Sequence, residues 1–279
     1  METLKNPVFL VPTDFSEVCT NAAHRAASLA KDFNYRVVLL HVIDKNTLSE
    51  LKKEGKGLES IDQRLRELAD ILIKENVIQV STIAREGDIF STIAEVAKEV
   101  EASLIFLGTH GKVGLQKITG SFALRVITSS EIPTIIIQKR PLGHGLGKIV
   151  MPITSSSGPW VKTKWAGAIA KEFNSTVHII HLPGDELDDI ITMITNHFQV
   201  NGVNYKLIAS DKASNFTKQV IDYATSENAD MILILTNPDN NLKTFLLGNY
   251  DEDIIFNSSQ IPVMCINPRD FNWKKAASK

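Results

Sequence analysis

The stretch best equipped for chemistry is Gly108-Thr-His-Gly-Lys-Val-Gly-Leu-Gln-Lys-Ile-Thr-Gly-Ser121. Its glycines can take φ > 0 and let backbone N–H groups come close to a phosphate. Gly120-Ser121 opens a helical pattern, and the free N–H groups of a helix start favour an anion. The dipole alone contributes only about 0.3–1 kcal/mol, so several donors must converge on one phosphate. A glycine-rich turn with no ligand fits the same spacing, and the run is neither a GxGxxG fingerprint nor a P-loop.

Other candidates are isolated. Asp14 follows the apolar run Val8-Phe-Leu-Val-Pro12, and it or Ser16 could cap the next helix. His41 ends an apolar strand, where a packed core histidine is the commoner role. His110 in the glycine run could touch a phosphate or face solvent as an ordinary loop residue. Lys112 and Lys117 add positive potential or are plain surface. The two cysteines, Cys19 and Cys265, lie far apart with no metal spacing, which argues against a disulfide scaffold and for a reducing compartment. There is no SGGxDS loop, no HIGH signature and no clustered acidic pair with an obvious magnesium role.

These residues must be positioned by alternating strands and helices. Strands are expected at Val8–Pro12, Val37–Ile43, Gln79–Ala84, Leu104–Leu107 and Thr134–Gln138. Helices are expected over Ser16–Phe33, Leu58–Glu75, Asp88–Glu101 and Ser121–Thr128, with Gly55 and Gly57 marking a break. The alternation implies βαβ crossovers, and continuous apolar strands imply a parallel sheet covered on both faces. Ligands of such sheets sit at the carboxyl ends of the strands, near the topological switch point. Pro12-Thr-Asp14, Val42 and Gly108-Thr-His-Gly111 should therefore meet.

The pattern then repeats. Lys148-Ile-Val-Met-Pro152 copies the first strand, and Ala-Lys-Glu-Phe-Asn174 copies Ala-Lys-Asp-Phe-Asn34. Val177–His181, Asp230–Leu235 and Ile261–Ile266 copy the second, fourth and fifth strands. The expected organisation is a domain over 1–140, a linker over 141–147 and a second domain over 148–279. The second copy lacks the candidate residues: Pro152-Ile-Thr154 has no carboxylate, and Thr236-Asn-Pro-Asp239 is set against Gly108-Thr-His-Gly111. Only Gly248-Asn249 remains of the loop's end.

Composition sets the outer limits. Of 279 residues, 43% are hydrophobic and 22% charged, with a net charge of -2. That is globular composition with no basic block for nucleic acid. The longest apolar runs suit buried strands rather than membrane spans, and the first residues lack the apolar core of a signal peptide. The expectation is a cytoplasmic protein.

Taken together, Leu10-Val-Pro-Thr-Asp-Phe-Ser16, Leu39-Leu-His-Val-Ile-Asp44, Glu86-Gly-Asp88 and the Gly108–Ser121 run resemble the universal stress protein family, here as a tandem of two. The resemblance implies an α/β chain of two five-stranded parallel-sheet domains, Rossmann-like and akin to the adenine-nucleotide alpha-hydrolase fold, with strand order 3-2-1-4-5. Its nucleotide-binding members carry G-x2-G-x9-G-S/T. Gly108, Gly111 and Gly120-Ser121 match, although the last gap is eight residues. The resemblance implies ATP or AMP, with or without Mg, held by the first domain. Asp14 would meet the ribose hydroxyls and the backbone of Val42 the adenine edge. Pro12 and Thr13 would line the base and sugar pocket, and Gly108 would sit against the ribose. Gly111, Gly120, Ser121 and Phe122 would serve the phosphates.

The implied role is regulation in a stress response, through a signalling partner and with neither nucleic acid nor membrane. A nucleotide-free interaction scaffold and a slow ATPase are the alternatives. Thr134–Gln138 and Val263–Asn267 are apolar and uncharged, and family members dimerise about this strand. An intramolecular pseudo-dimer through them is expected, open to further homodimerisation.

Overall fold

The computed structural model describes residues 6–110, 120–140, 145–154, 159–211, 214–236 and 249–266. The chain divides into two compact units, Met1–Pro141 and Leu142–Lys279.

In the first unit, β1 (Val8–Pro12) leads into α1 (Glu17–Phe33), β2 (Arg36–Ile43), α2 (Lys45–Glu54) and α3 (Glu59–Asn76). Then come β3 (Val80–Glu86), α4 (Ile89–Glu99), β4 (Ala102–Gly108), α5 (Gly120–Ser129) and β5 (Thr134–Ile137). The strands run parallel in the order β3-β2-β1-β4-β5. Every residue of β1 is buried, as a strand covered on both faces requires. β3 is largely exposed, as an edge strand can be. Asp88 caps α4 by accepting from the N–H groups of Phe90 at 3.1 Å and Ser91 at 3.2 Å.

Helix α2 was not expected from the sequence. It buries only Thr47 and Leu51, so its apolar stripe is too thin to read as a period. Its local signal is a cap, the Asp44 carboxylate accepting from the Thr47 N–H at 2.8 Å. Gly55, at φ 64, ends it, which accounts for the break expected there. Strand β3 begins and ends later than Gln79–Ala84, reaching Glu86.

The second unit contains β6 (Lys148–Ile153), α6 (Pro159–Glu172), β7 (Thr176–His181), α7 (Asp185–Val200) and β8 (Tyr205–Ala209). It continues with α8 (Phe216–Ser226), β9 (Met231–Leu235), α9 (Asn249–Ile255) and β10 (Val263–Ile266). These strands are also parallel, in the order β8-β7-β6-β9-β10. Both units therefore have the expected order, with the switch point between the first and fourth strands of each. Cys19 and Cys265 are buried, and neither is in a disulfide. Among the described residues no helix is long and apolar enough to cross a membrane.

Candidate functional site

The first unit gathers Pro12, Thr13, Asp14, Val42 and Gly108 at the carboxyl ends of β1, β2 and β4. The turn leaving β1 is tightly bonded. Thr13 N–H donates to Leu40 O at 2.8 Å, and Phe15 N–H donates to the Thr13 hydroxyl at 3.0 Å. Ser16 N–H donates to Asp14 Oδ1 at 2.9 Å. Ser16 stands at the N-cap position of α1, but its side chain makes no capping bond. Burial works against the charge of Asp14, yet hydrogen bonds from Ser16 outweigh it and hold the carboxyl below the ordinary carboxylate value. Burial, followed by the charge of Asp14, pushes the nearby Cys19 thiol up to about 12, so it is no nucleophile.

His41 is 4% exposed and is indeed a packed histidine. Its Nδ1 lies 2.8 Å from Thr13 O. A carbonyl only accepts, so Nδ1 carries the proton. The bond commits the Thr13 carbonyl to the histidine. Among the described residues, strand alternation leaves the neighbouring backbone edge without a rung. Leu40 O bonds toward β1, and Ile43 O accepts from Gly87 N–H on the β3 side at 3.2 Å. Alternation then turns the N–H and C=O of Val42 toward β1, whose pairing with β2 ends at Pro12 and Leu40. They project past the last rung, beside the Asp14 turn.

Phe15 sits at φ 64, a conformation that costs a bulky residue about 1–3 kcal/mol. Its ring is stacked on His41 at 4.8 Å and 21°, and the Arg64 guanidinium lies over the ring, 4.0 Å from its centroid. Neither Phe15 nor Arg64 stood out in the sequence, because the contact joins β1, β2 and α3.

Gly108 ends β4. A Cβ there would lie 2.5 Å from Val18 O and 2.7 Å from Cys19 Cα, so its bareness lets the first turn of α1 lie against the strand. Gly120, Ser121 and Phe122 are the first three residues of α5, where helix N–H groups lack intrahelical partners. Gly111, Lys112 and Lys117 lie outside the described residues. His110 is half-buried rather than solvent-exposed.

The second unit differs at each of these points. Phe9 pairs with Val37 and Ile149 with Val177, so His181 corresponds to His41 and Leu182 to Val42. Here Leu182 N–H donates to Ile153 O at 3.3 Å, and His181 Nδ1 turns to Leu182 O at 2.9 Å. Both backbone groups of Leu182 are thus used internally. The sheet register also corrects the sequence alignment. Gly108 pairs with Ile137 and Leu235 with Ile266, while Thr109 and Thr236 each donate N–H across to those residues at 2.8 Å. Leu235, not Thr236, therefore stands in the place of Gly108. The two glycines flanking Thr109-His110 had drawn the alignment one residue off. Lys162, ten residues after Pro152 as Ala22 is after Pro12, donates its ammonium to Pro152 O at 2.6 Å.

Residues 6–138 match the model of the universal stress protein family. A universal stress protein of Methanocaldococcus jannaschii is 34% identical over 138 residues, covering 47% of this chain and 81% of the relative. One from Synechocystis is 34% identical over 132 residues, covering 46% and 83%. The chain belongs to the universal stress protein family. Each of these relatives aligns with about half of the chain, which is consistent with a tandem arrangement. A universal stress protein structure from Archaeoglobus fulgidus matches at TM-score 0.76 and 20% identity. It covers 94% of this chain and 98% of its own, so the likeness of fold extends over both units.

Proposed function

We propose that the first unit of this universal stress protein binds an adenine nucleotide, ATP or AMP, and that the second does not. The observation that carries this reading is the open N–H and C=O of Val42 beside an ionised Asp14, set against Leu182, whose equivalent groups are bonded within its own unit. A donor and an acceptor two atoms apart along a strand match the edge of an adenine ring. A half-buried carboxylate that accepts hydrogen bonds suits a pair of ribose hydroxyls. The first turn of α5 supplies N–H groups suited to phosphate. Nucleotide occupancy would act as a regulatory signal in a stress response, read by a partner protein.

Calorimetric titration with ATP and with AMP tests this. One site per chain, lost in Asp14→Ala, is expected, and mass spectrometry of the purified protein should find the nucleotide that travels with it. Two equivalent sites, or no binding of either nucleotide, would overturn the reading.

We further propose that the two units pair through β5 and β10. Both strands are buried, apolar and free of charge, with no feature that discourages pairing. Placing Glu at both Ile136 and Met264 should lower the cooperativity of unfolding.

A further inference from the structure

The carbonyl at the end of the first strand, that of Thr13 in the first unit, meets a different partner in each unit. In the first unit it takes the His41 Nδ1 proton at 2.8 Å. In the second, the corresponding Ile153 carbonyl takes the Leu182 N–H at 3.3 Å. The partner decides whether the backbone edge at this position is open or closed.

Three groups are layered beside that carbonyl: the imidazole, the Phe15 ring stacked on it and the Arg64 guanidinium over that ring. The middle layer is strained at φ 64, so the turn does not hold that shape by local preference. The outer layer is delivered by α3, whose Ile61 and Leu65 on either side of Arg64 are buried and fix that turn of the helix. The second unit keeps only the histidine. Ser155 follows Thr154 where Phe15 follows Asp14. The buried stripe Leu187, Ile191, Ile194 and Phe198 of α7 matches Ile61, Leu65, Leu68 and Leu72 of α3, which sets Ile190 in the place of Arg64. The clamp is missing where the edge is closed.

We propose that Arg64 is a positioning residue for the nucleotide site: by clamping Phe15 onto His41 it keeps the Thr13 carbonyl on the histidine and the Val42 N–H open. The nucleotide side of this inference rests on the function proposed above. Its structural side does not.

The test uses the full chain with Arg64→Gln, Arg64→Lys and Phe15→Gly, read in two ways. In ligand-free protein, hydrogen exchange at the Val42 amide should slow in Arg64→Gln, because Thr13 O captures that N–H. Exchange at the Phe15 amide should quicken as the turn loosens. In ATP titrations Arg64→Gln should weaken binding about twofold to fivefold, the value of one exposed cation–π contact. Arg64→Lys should recover part of it. In a Phe15→Gly background, where glycine takes φ > 0 without strain, Arg64→Gln should have no further effect.

An Arg64→Gln effect that persists in that background would mean the guanidinium acts directly on the phosphates, and the positioning role would be wrong. Unchanged exchange at Val42 in Arg64→Gln would also overturn it. A wild-type protein that binds no adenine nucleotide would defeat the functional reading alone, and the exchange measurement would still decide the clamp.

Discussion

At the carboxyl ends of their strands the two units share a topology and almost nothing else. The first leaves Val42 open, charges Asp14 and brings α1 against a bare Gly108. The second bonds Leu182 to itself, has Thr154 in place of the carboxylate, carries Leu235 in the place of Gly108 and sets a lysine ammonium on Pro152 O. The two edges thus differ by more than a glycine loop. The backbone groups a ligand would use are given partners within the unit, as buried polar groups require.

The amino-terminal halves of the two sheets diverge as well. Val8 and Val38 of the first unit correspond by register to Lys148 and His178 of the second, and Ser81 corresponds to Lys206. His178 Nδ1 lies 2.9 Å from the Tyr223 hydroxyl on α8, and Lys148 donates to Glu227 O at 2.7 Å. Glu227 also lies 3.4 Å from Lys206. Where the first unit packs valines, the second ties α8 to the sheet with a polar network.

Exchanging residues between the units would break or sharpen this contrast. The largest effect should come from Gly108→Leu, which gives the first unit the residue of the second. The side chain would meet the backbone of Val18 and Cys19, which cannot yield as a flexible side chain can. A loss of roughly 3 kcal/mol in urea unfolding is expected from such overpacking, together with loss of nucleotide binding. A variant with wild-type stability and affinity would show that the close approach of α1 is dispensable.

Asp14→Thr should leave folding nearly intact, since a threonine hydroxyl can still accept from Ser16 N–H. Nucleotide affinity should fall about tenfold to a hundredfold, the range for losing hydrogen bonds to a charged group. Unchanged affinity in titration would remove Asp14 from the site. Lys162→Ala, in the other direction, should cost the second unit about 1 kcal/mol, because its ammonium is only partly shielded from water. It should confer no nucleotide binding, since Leu182 remains internally bonded. A second binding site in calorimetry would show that the lysine alone had closed the edge.

The smallest effect concerns pH. Burial, followed by Lys206, lowers the pKa of His178; Glu227 opposes them in part, and Lys148 adds the smallest lowering. The folded state therefore prefers the neutral ring, while the unfolded chain takes up a proton near the ordinary value of 6.5. Stability should be constant well above that value and decline as pH falls through it, because the unfolded state then binds more protons. His178→Val should flatten this decline in melting curves. An equally steep decline in the variant would place the sensitivity elsewhere.

Much of this was legible in the sequence. Apolar runs such as Val8–Pro12 and Val37–Ile43, paired with amphipathic helices and repeated in order, dictate two parallel sheets. Burial of a continuous apolar strand on both faces has few other solutions. The absence of the Asp14 carboxylate from the second copy was equally plain, because it is a matter of residue type. Helix α2 was hidden because two buried residues make no period.

Other features depend on distance between segments that are remote in sequence. That Leu235 rather than Thr236 stands for Gly108 follows from the ladder between the fourth and fifth strands, because only pairing fixes register. Whether a carbonyl turns to a histidine or to an amide is a choice between near-equal bonds. It is made by a ring from the β1 turn and a guanidinium from α3. The sequence by itself determined the fold, the duplication and the missing carboxylate, since these follow from residue type and period. Only the tertiary structure decided which backbone edge stays open, because a hydrogen bond goes to the partner that packing holds closest.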